Sequence, residues 1–356
     1  MSPQGPAAAI RGGLLSAASR LYASGARARR RWQARHPERR RRLRRPVVSV
    51  GNVSVGGSGK TPVTAYLARL LLEAGHRPSI LTRGYGRREA GDGVTVVSDG
   101  AGVRADVDRA GDEPLMLARA LPGVPVLVSA DRHLAGLIAE RRFGCTIHLL
   151  DDGFQHFALH RDLDIVLVGH DDVDRPRTLP GGRLREPIDV LGAADAVVIE
   201  APDAPAAAAV AARIGVERWF RLRRMLGRAR LADEDRDAVP AEGTRVLAVA
   251  GVARPQGFFS ALAVEGWTMA GQIAFPDHHP FTAADVRRIL GAMREARAGM
   301  VVTTEKDLVR LQPLEPLPFT VAWVPLEVSV EPAGAFRDWV LAGVGASPAA
   351  SIGAGA

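Results

Sequence analysis

Lys60-Thr61 closes the run Gly56-Gly57-Ser58-Gly59-Lys60-Thr61-Pro62, and these residue types in this spacing suit the phosphates of a nucleotide. Successive backbone N–H groups in a glycine-rich loop form a concave anion site. The lysine reaches the β and γ phosphates, and the threonine hydroxyl ligates Mg²⁺. The chain carries 47 lysines and arginines, yet Lys60 and Lys306 are its only lysines. A compact point charge is thus kept where a phosphate suits it. The loop departs from the strict spacing at Ser54, which stands where a first glycine belongs; the glycines at 56 and 57 give it a shape of its own.

Three further groups carry chemistry. Asp151-Asp152 ends the apolar run 146–150 and precedes Gly153-Phe154-Gln155-His156. An acid at the end of a strand downstream of a phosphate loop holds Mg²⁺ directly or through water. Gly111-Asp112-Glu113-Pro114 opens a helical pattern, and Asp112 reads equally well as a helix cap or as a catalytic carboxylate. Asp277-His278-His279-Pro280 is a loop before a helix in which Thr282 and Asp285 have capping-box spacing, so either histidine could close over a nucleotide domain. In Thr303–Asp307 no residue separates Lys306 from Asp307, which weakens a guanine-reading motif. Lys306 could serve the nucleotide or hold Asp307 or Glu305.

The elements that must position these groups are legible as strand-length apolar runs at 47–50, 79–81, 124–128, 146–150, 164–168 and 196–199. Helical patterns fill several of the intervals. Val63, Leu67, Leu70, Leu71 and Ala74 share one helical face directly after the loop, with Gly75 as its stop. Strand, loop and helix therefore follow in the order that places phosphates at a helix N-terminus. The alternation predicts an α/β fold, a P-loop NTPase-like, mostly parallel sheet flanked by helices. A second series at 245–250, 300–303 and 319–324 predicts a smaller α/β domain. We expect a basic segment at 1–45, the nucleotide domain at 46–225, the smaller domain at 226–342 and a disordered Gly/Ala-rich tail at 343–356.

The net charge of +8 is unevenly spread. Residues 1–46 hold thirteen arginines and one acid, Glu38, a net +12, so the rest of the chain sums to −4. Residues 6–25 alternate small and apolar residues, and Arg27 to Arg45 then contributes eleven arginines; the two read as a weakly apolar amphipathic helix followed by a polybasic stretch, lying on an anionic membrane. Solvated surface and nucleic-acid binding are the competing readings; no nucleic-acid motif accompanies the charge. The chain has no run of 18 uncharged apolar residues, so a spanning helix is not expected. The single cysteine, Cys145, lies in an apolar run and reads as a buried, inert thiol in a reducing compartment. No obligate protein partner is evident.

Taken together, the segments resemble the tetraacyldisaccharide 4′-kinases, the lipid A kinases of Gram-negative bacteria. The matching stretches are GNVSVGGSGKTP at 51–62, TRGYGR at 82–87, GDEP at 111–114, DDGFQH at 151–156, RDLDIVLV at 161–168, LPGGRLREP at 179–187, FPDHHPF at 275–281 and TTEKDLVRL at 303–311. Arg183 stands where that family usually has proline. The resemblance implies transfer of phosphate from ATP, with Mg²⁺, to the 4′-hydroxyl of a tetraacylated glucosamine disaccharide 1-phosphate at the cytoplasmic face of the inner membrane. It implies Asp112 as general base paired with His278 (or His279), Lys60 and Thr61 in the phosphate loop, and Glu113, Asp151, Asp152 and His156 around metal and phosphates. Arg83 and Arg185 resemble basic residues near the substrate, and Gln155 and His156 are expected with them at the substrate. The chief alternatives are a membrane-peripheral NTPase that uses hydrolysis as a switch, and a nucleotide-gated membrane-binding module. The first usually carries a second loop lysine where this chain has Val55; the carboxylates argue against the second.

Overall fold

β-branched runs such as Val47-Val48 and Val197–Ile199 are apolar at every position, which suits strands covered on both faces. The computed structural model describes residues 6–57, 59–89, 91, 93–232, 238 and 244–345. In chain order the strands are β1 (Val47–Asn52), β2 (Pro78–Thr82), β3 (Thr95–Asp99), β4 (Pro125–Val128), β5 (Ile147–Asp151), β6 (Leu163–Gly169), β7 (Ala196–Glu200) and β8 (Trp219–Leu226). There follow β9 (Arg230–Leu231), β10 (Arg245–Ala250), β11 (Thr268–Ala274), β12 (Met300–Thr304), β13 (Val321–Val324) and β14 (Leu326–Glu331).

Among the described residues these strands make two sheets, ordered β14-β8-β7-β6-β1-β5-β2-β4-β3 and β11-β10-β12-β13-β9. The larger sheet is parallel from β8 to β4, and its two edge strands, β14 and β3, run antiparallel. Alternate residues of one strand enter different cores. Val48 and Val50 face the helices Lys60–Glu73, Asp112–Ala120 and Ala333–Val344, whereas Val47 joins Leu81, Leu127 and Cys145 on the opposite face. Cys145 is buried, and that burial pushes its thiol up to about 11, an inert group.

The domain expectation changes at its C-terminal end. β14 pairs with β8, and Phe336, Val340 and Val344 of the last helix lie in the core of the larger sheet. The smaller sheet, β9 to β13, is thus inserted between two antiparallel neighbours of the larger one. Gly343 and Val344 belong to the last helix and not to a tail; residues 346–356 lie outside the described residues. The alanine-rich stretch near 201–212 is itself a helix, Ala204–Ile214.

The N-terminal helix runs further than expected, over Pro6–Arg35, and it is docked. Ser19 and Thr178 each donate a side-chain hydrogen bond to the other's carbonyl, at 3.0 and 2.9 Å. Arg30 forms a two-pronged pair with Glu186, at 2.9 and 2.6 Å, and its guanidinium lies 4.1 Å from the centre of the Phe154 ring. Leu14, Leu15, Leu21 and Tyr22 remain exposed, Leu21 at 77%. No described helix is long and apolar enough to cross a membrane.

Candidate active site

Helix Lys60–Glu73 begins at Lys60 itself, and its cap is Gly59, at φ 81°. Gly56 has φ 97°, so both glycines hold the left-handed backbone that turns the loop back onto the helix. Ser58 lies outside the described residues. Lys60 Nζ donates to Asn52 Oδ1 at 3.2 Å and sits 3.5 Å from Asp152 Oδ1. Thr61 and Thr64 donate to the two oxygens of Asp151, at 3.3 and 3.1 Å. Burial, and then the charge of Glu113, push the Asp151 carboxyl up to about 7, with Lys60 acting in the other direction. An enclosed carboxylate short of positive charge, beside a threonine hydroxyl at a helix N-terminus, is the donor chemistry that Mg²⁺ bound to a nucleotide uses. The described residues form no cage of three or more His, Cys, Asp or Glu side chains. Mg²⁺ needs none, because it takes one or two carboxylates and completes its shell with phosphate and water.

Asp152, at φ 57°, turns its side chain the other way. Arg185 Nη1 donates to both its oxygens, at 3.0 and 2.8 Å. Burial would raise this carboxyl, but Lys60 and Arg185 outweigh burial and hold it below its ordinary value.

Asp112 is the first residue of its helix and not the cap, which is Gly111. Its Oδ1 accepts from the backbone N–H of Glu113 at 2.9 Å, and its Oδ2 meets the smaller domain. There His278 Nδ1 lies 2.9 Å away and Arg310 Nε donates at 2.9 Å. Burial, the largest influence, would raise the Asp112 carboxyl; His278, Lys306 and Arg310 outweigh it and hold the group at about 2. His279 does not compete for this place, since its Nε2 is 3.1 Å from Asp285 Oδ2 and its ring stacks on Phe275. Lys306 donates to Glu113 Oε1 at 3.1 Å and to Asp277 Oδ1 at 3.3 Å.

Two cavities flank the loop. One of about 280 Å³ is lined by Arg29, Arg83, Arg132, Asp152, Gln155, His156 and Arg185. All four residues expected at the substrate, Arg83, Arg185, Gln155 and His156, therefore meet in one basic hollow. Gln155 Nε2 is also tied to Asn52 O and Glu186 Oε2, at 2.9 and 3.1 Å. Burial, then Arg132 and Arg161, pull His156 down to about 4, so its ring enters that hollow neutral at physiological pH. The second cavity, about 520 Å³, lies between Glu200–Pro202, Arg223, Arg224 and Arg254 of the inserted domain.

Sequence reasoning missed Arg310, Arg132, Asn52 and Arg29. Arg310 stands four residues after Lys306, on the same face of helix Glu305–Leu311, and that spacing was a usable signal. Asn52 ends the strand that feeds the loop and Arg29 lies in the basic cluster, whereas nothing in the local pattern marks Arg132, which arrives by tertiary placement.

Comparison with known proteins identifies the family. The family profile described as tetraacyldisaccharide-1-P 4′-kinase matches residues 12–344. A tetraacyldisaccharide 4′-kinase of Geobacter metallireducens is 42% identical over 279 residues, covering 77% of this chain and 81% of its own length. One of the same name from Syntrophus aciditrophicus is 38% identical over 352 residues, covering 92% of each. A crystal structure of LpxK from Aquifex aeolicus in complex with ATP superposes with a TM-score of 0.76 at 30% identity, covering 94% of this chain and 99% of that one.

Proposed function

The chain belongs to the tetraacyldisaccharide 4′-kinase family, ATP-dependent kinases of lipid A biosynthesis, and from that premise we propose how its residues carry the reaction. The loop N–H groups, the helix N-terminus and Lys60 hold the phosphates of ATP. Thr61, Asp151 and Glu113 would hold Mg²⁺, which neutralises charge on the transferring phosphoryl group. The cavity beside Arg224 has room for the nucleoside. Asp112 takes the proton of the 4′-hydroxyl while that oxygen bonds to the γ-phosphorus, the bond from that phosphorus to the bridging oxygen breaks, and ADP leaves. His278 and Arg310 keep Asp112 ionised and aimed. Asp152 orients Lys60 and Arg185. The basic hollow, with Arg83, Arg132, Arg185, Gln155 and His156, takes the polar head of the anionic disaccharide.

The N-terminal helix supports a place at the cytoplasmic face of the inner membrane. Its Arg29 reaches the hollow while Leu14, Leu15 and Leu21 face outward, so an acylated substrate could pass from an anionic membrane into the site.

The single observation that carries the catalytic reading is the 2.9 Å contact between Asp112 and His278, across two domains. General-base catalysis contributes ~10²–10⁴-fold, so Asp112→Asn should lose about that much turnover and largely keep its ATP affinity. His278→Ala should lose less, and the double variant should be little worse than Asp112→Asn, because residues acting as a unit are non-additive. Turnover with lipid A precursor and ATP decides the matter. Losses that simply multiply would separate the pair, and a fully active Asp112→Asn would remove the base.

A further inference from the structure

The second lysine of this chain sits in the smaller domain, and its ammonium has three polar neighbours within hydrogen-bond distance, with Asp112 Oδ2 farther off at 3.9 Å. Lys306 Nζ is 3.1 Å from Glu113 Oε1, 3.3 Å from Asp277 Oδ1 and 3.2 Å from His278 Nε2. An ammonium has three hydrogens and no lone pair, so all three neighbours accept from it. Burial works most strongly against this charge, but Glu113, Asp112 and Asp277 outweigh it and keep the ammonium above its ordinary range.

One of the three acceptors is a ring nitrogen, and this fixes the other. If His278 Nε2 presents its lone pair to Lys306, the ring hydrogen resides on Nδ1. That hydrogen then points at Asp112 Oδ2, 2.9 Å away. In the opposite tautomer two lone pairs would face each other across 2.9 Å while Lys306 met an N–H. Turning the ring over would remove both contacts at once.

Resting on the assignment of Asp112 as base, we infer that Lys306 is a positioning residue which fixes the tautomer and ring orientation of His278, so that Asp112 receives an imidazole N–H.

Other features of the loop serve the same end. His278 is held at φ 59°, a left-handed backbone that only a well-determined surrounding sustains in a non-glycine residue. Its own N–H donates to Asp277 Oδ1 at 3.0 Å, the oxygen that Lys306 also reaches. The rings of Tyr85 and His278 meet in a T-shaped pair, with centroids 5.5 Å apart. Lys306 lies in the first turn of a helix capped by Thr304. Glu113 adds a use for the same contact. Its carboxylate bonds to Lys306 and its charge acts on Asp151, so one lysine joins the proton-accepting group to the expected metal side of the site.

The test reads the resting protein and turnover separately. Histidine labelled with ¹⁵N gives distinct ring signals for the two tautomers, and the His278→Ala spectrum identifies which signals belong to this ring. The wild-type protein should show His278 protonated on Nδ1. In Lys306→Met the signals should move toward the Nε2–H form or an average of the two. Turnover should fall on the order of 10²-fold, as expected of a misplaced catalytic group, with KM for ATP changed by no more than about twofold. Lys306→Arg keeps a donor at this place and should retain the wild-type tautomer with a smaller loss. Should Lys306→Met fail to fold, the arginine variant and the wild-type spectrum carry the test. An Nε2–H ring in the wild type, or an unchanged tautomer in folded Lys306→Met, overturns the inference. The spectra need neither ATP nor disaccharide, so an error in assigning Asp112 as base would appear only as full activity of Asp112→Asn.

Discussion

Asp151 is the residue at which this protein gives up stability for function. Its carboxyl is enclosed, Glu113 adds negative charge, and its ionisation is pushed up to about 7 against an ordinary 3.8. The folded state therefore binds a proton over a range in which the unfolded chain has lost it. Stability from this group is full below about 3.8 and is lost as pH rises through about 7. Asp151→Asn should raise the melting temperature at pH 8 while abolishing Mg²⁺-dependent turnover, and its advantage should vanish below pH 4. Thermal melts of the nucleotide-free protein at the two pH values check this. Equal melting of variant and wild type at pH 8 would show the charge already compensated. Asp112 has the opposite sign, being held at about 2 by His278, Lys306 and Arg310, so its contribution is present at neutral pH and lost only in strong acid.

At the scale of elements, the N-terminal helix has two kinds of residue doing different work. Arg27, Arg30 and Ser19 fasten it to Asp189, Glu186 and Thr178. Leu14, Leu15 and Leu21 stay exposed. Replacing the three leucines by serine should abolish sedimentation with anionic vesicles and leave ATP binding within about twofold, because each exposed leucine buries up to ~1.5–3 kcal/mol of apolar surface on insertion. Persistent vesicle binding in low salt would locate the attachment in the arginines instead. The strands inside the sheets were legible because a parallel sheet covered on both faces demands unbroken apolar runs, as at 165–168 and 196–199. β8 and β14 were not, since they alternate: Phe220 and Leu222 turn inward while Arg221 and Arg223 reach Glu331. The site divides in the same way. Lys60, Thr61 and Asp151 are marked by their neighbours in sequence, whereas Asp112, which reads locally as a cap as much as a base, gains His278 and Arg310 only because two domains close on each other.

Considered as a whole, the molecule is two sheets pinned at an ionised contact. Asp112 and Arg310 are both nearly enclosed and come from different domains. Breaking a buried pair from one side leaves a charge without a counter-ion, at a cost of ~3–5 kcal/mol. Arg310→Leu should lose about that much in chemical denaturation, and adding Asp112→Leu should restore part of it. A loss below about 1 kcal/mol in Arg310→Leu would show that the domains are held elsewhere. The insertion of the smaller sheet has a consequence of a different kind, for the order in which the chain is made. β8 leaves the ribosome without its neighbour β14, and Phe220 without Phe336, whose ring centre ends 4.9 Å away. Tyr66, on the helix that begins at the phosphate loop, waits for the same ring. The whole inserted domain must be synthesised first. The nucleotide domain, whose motifs are among the earliest to emerge, thus acquires its last edge strand and covering helix only when synthesis has passed residue 344, and a nascent chain stopped at Val324 would present a phosphate loop on an unfinished core.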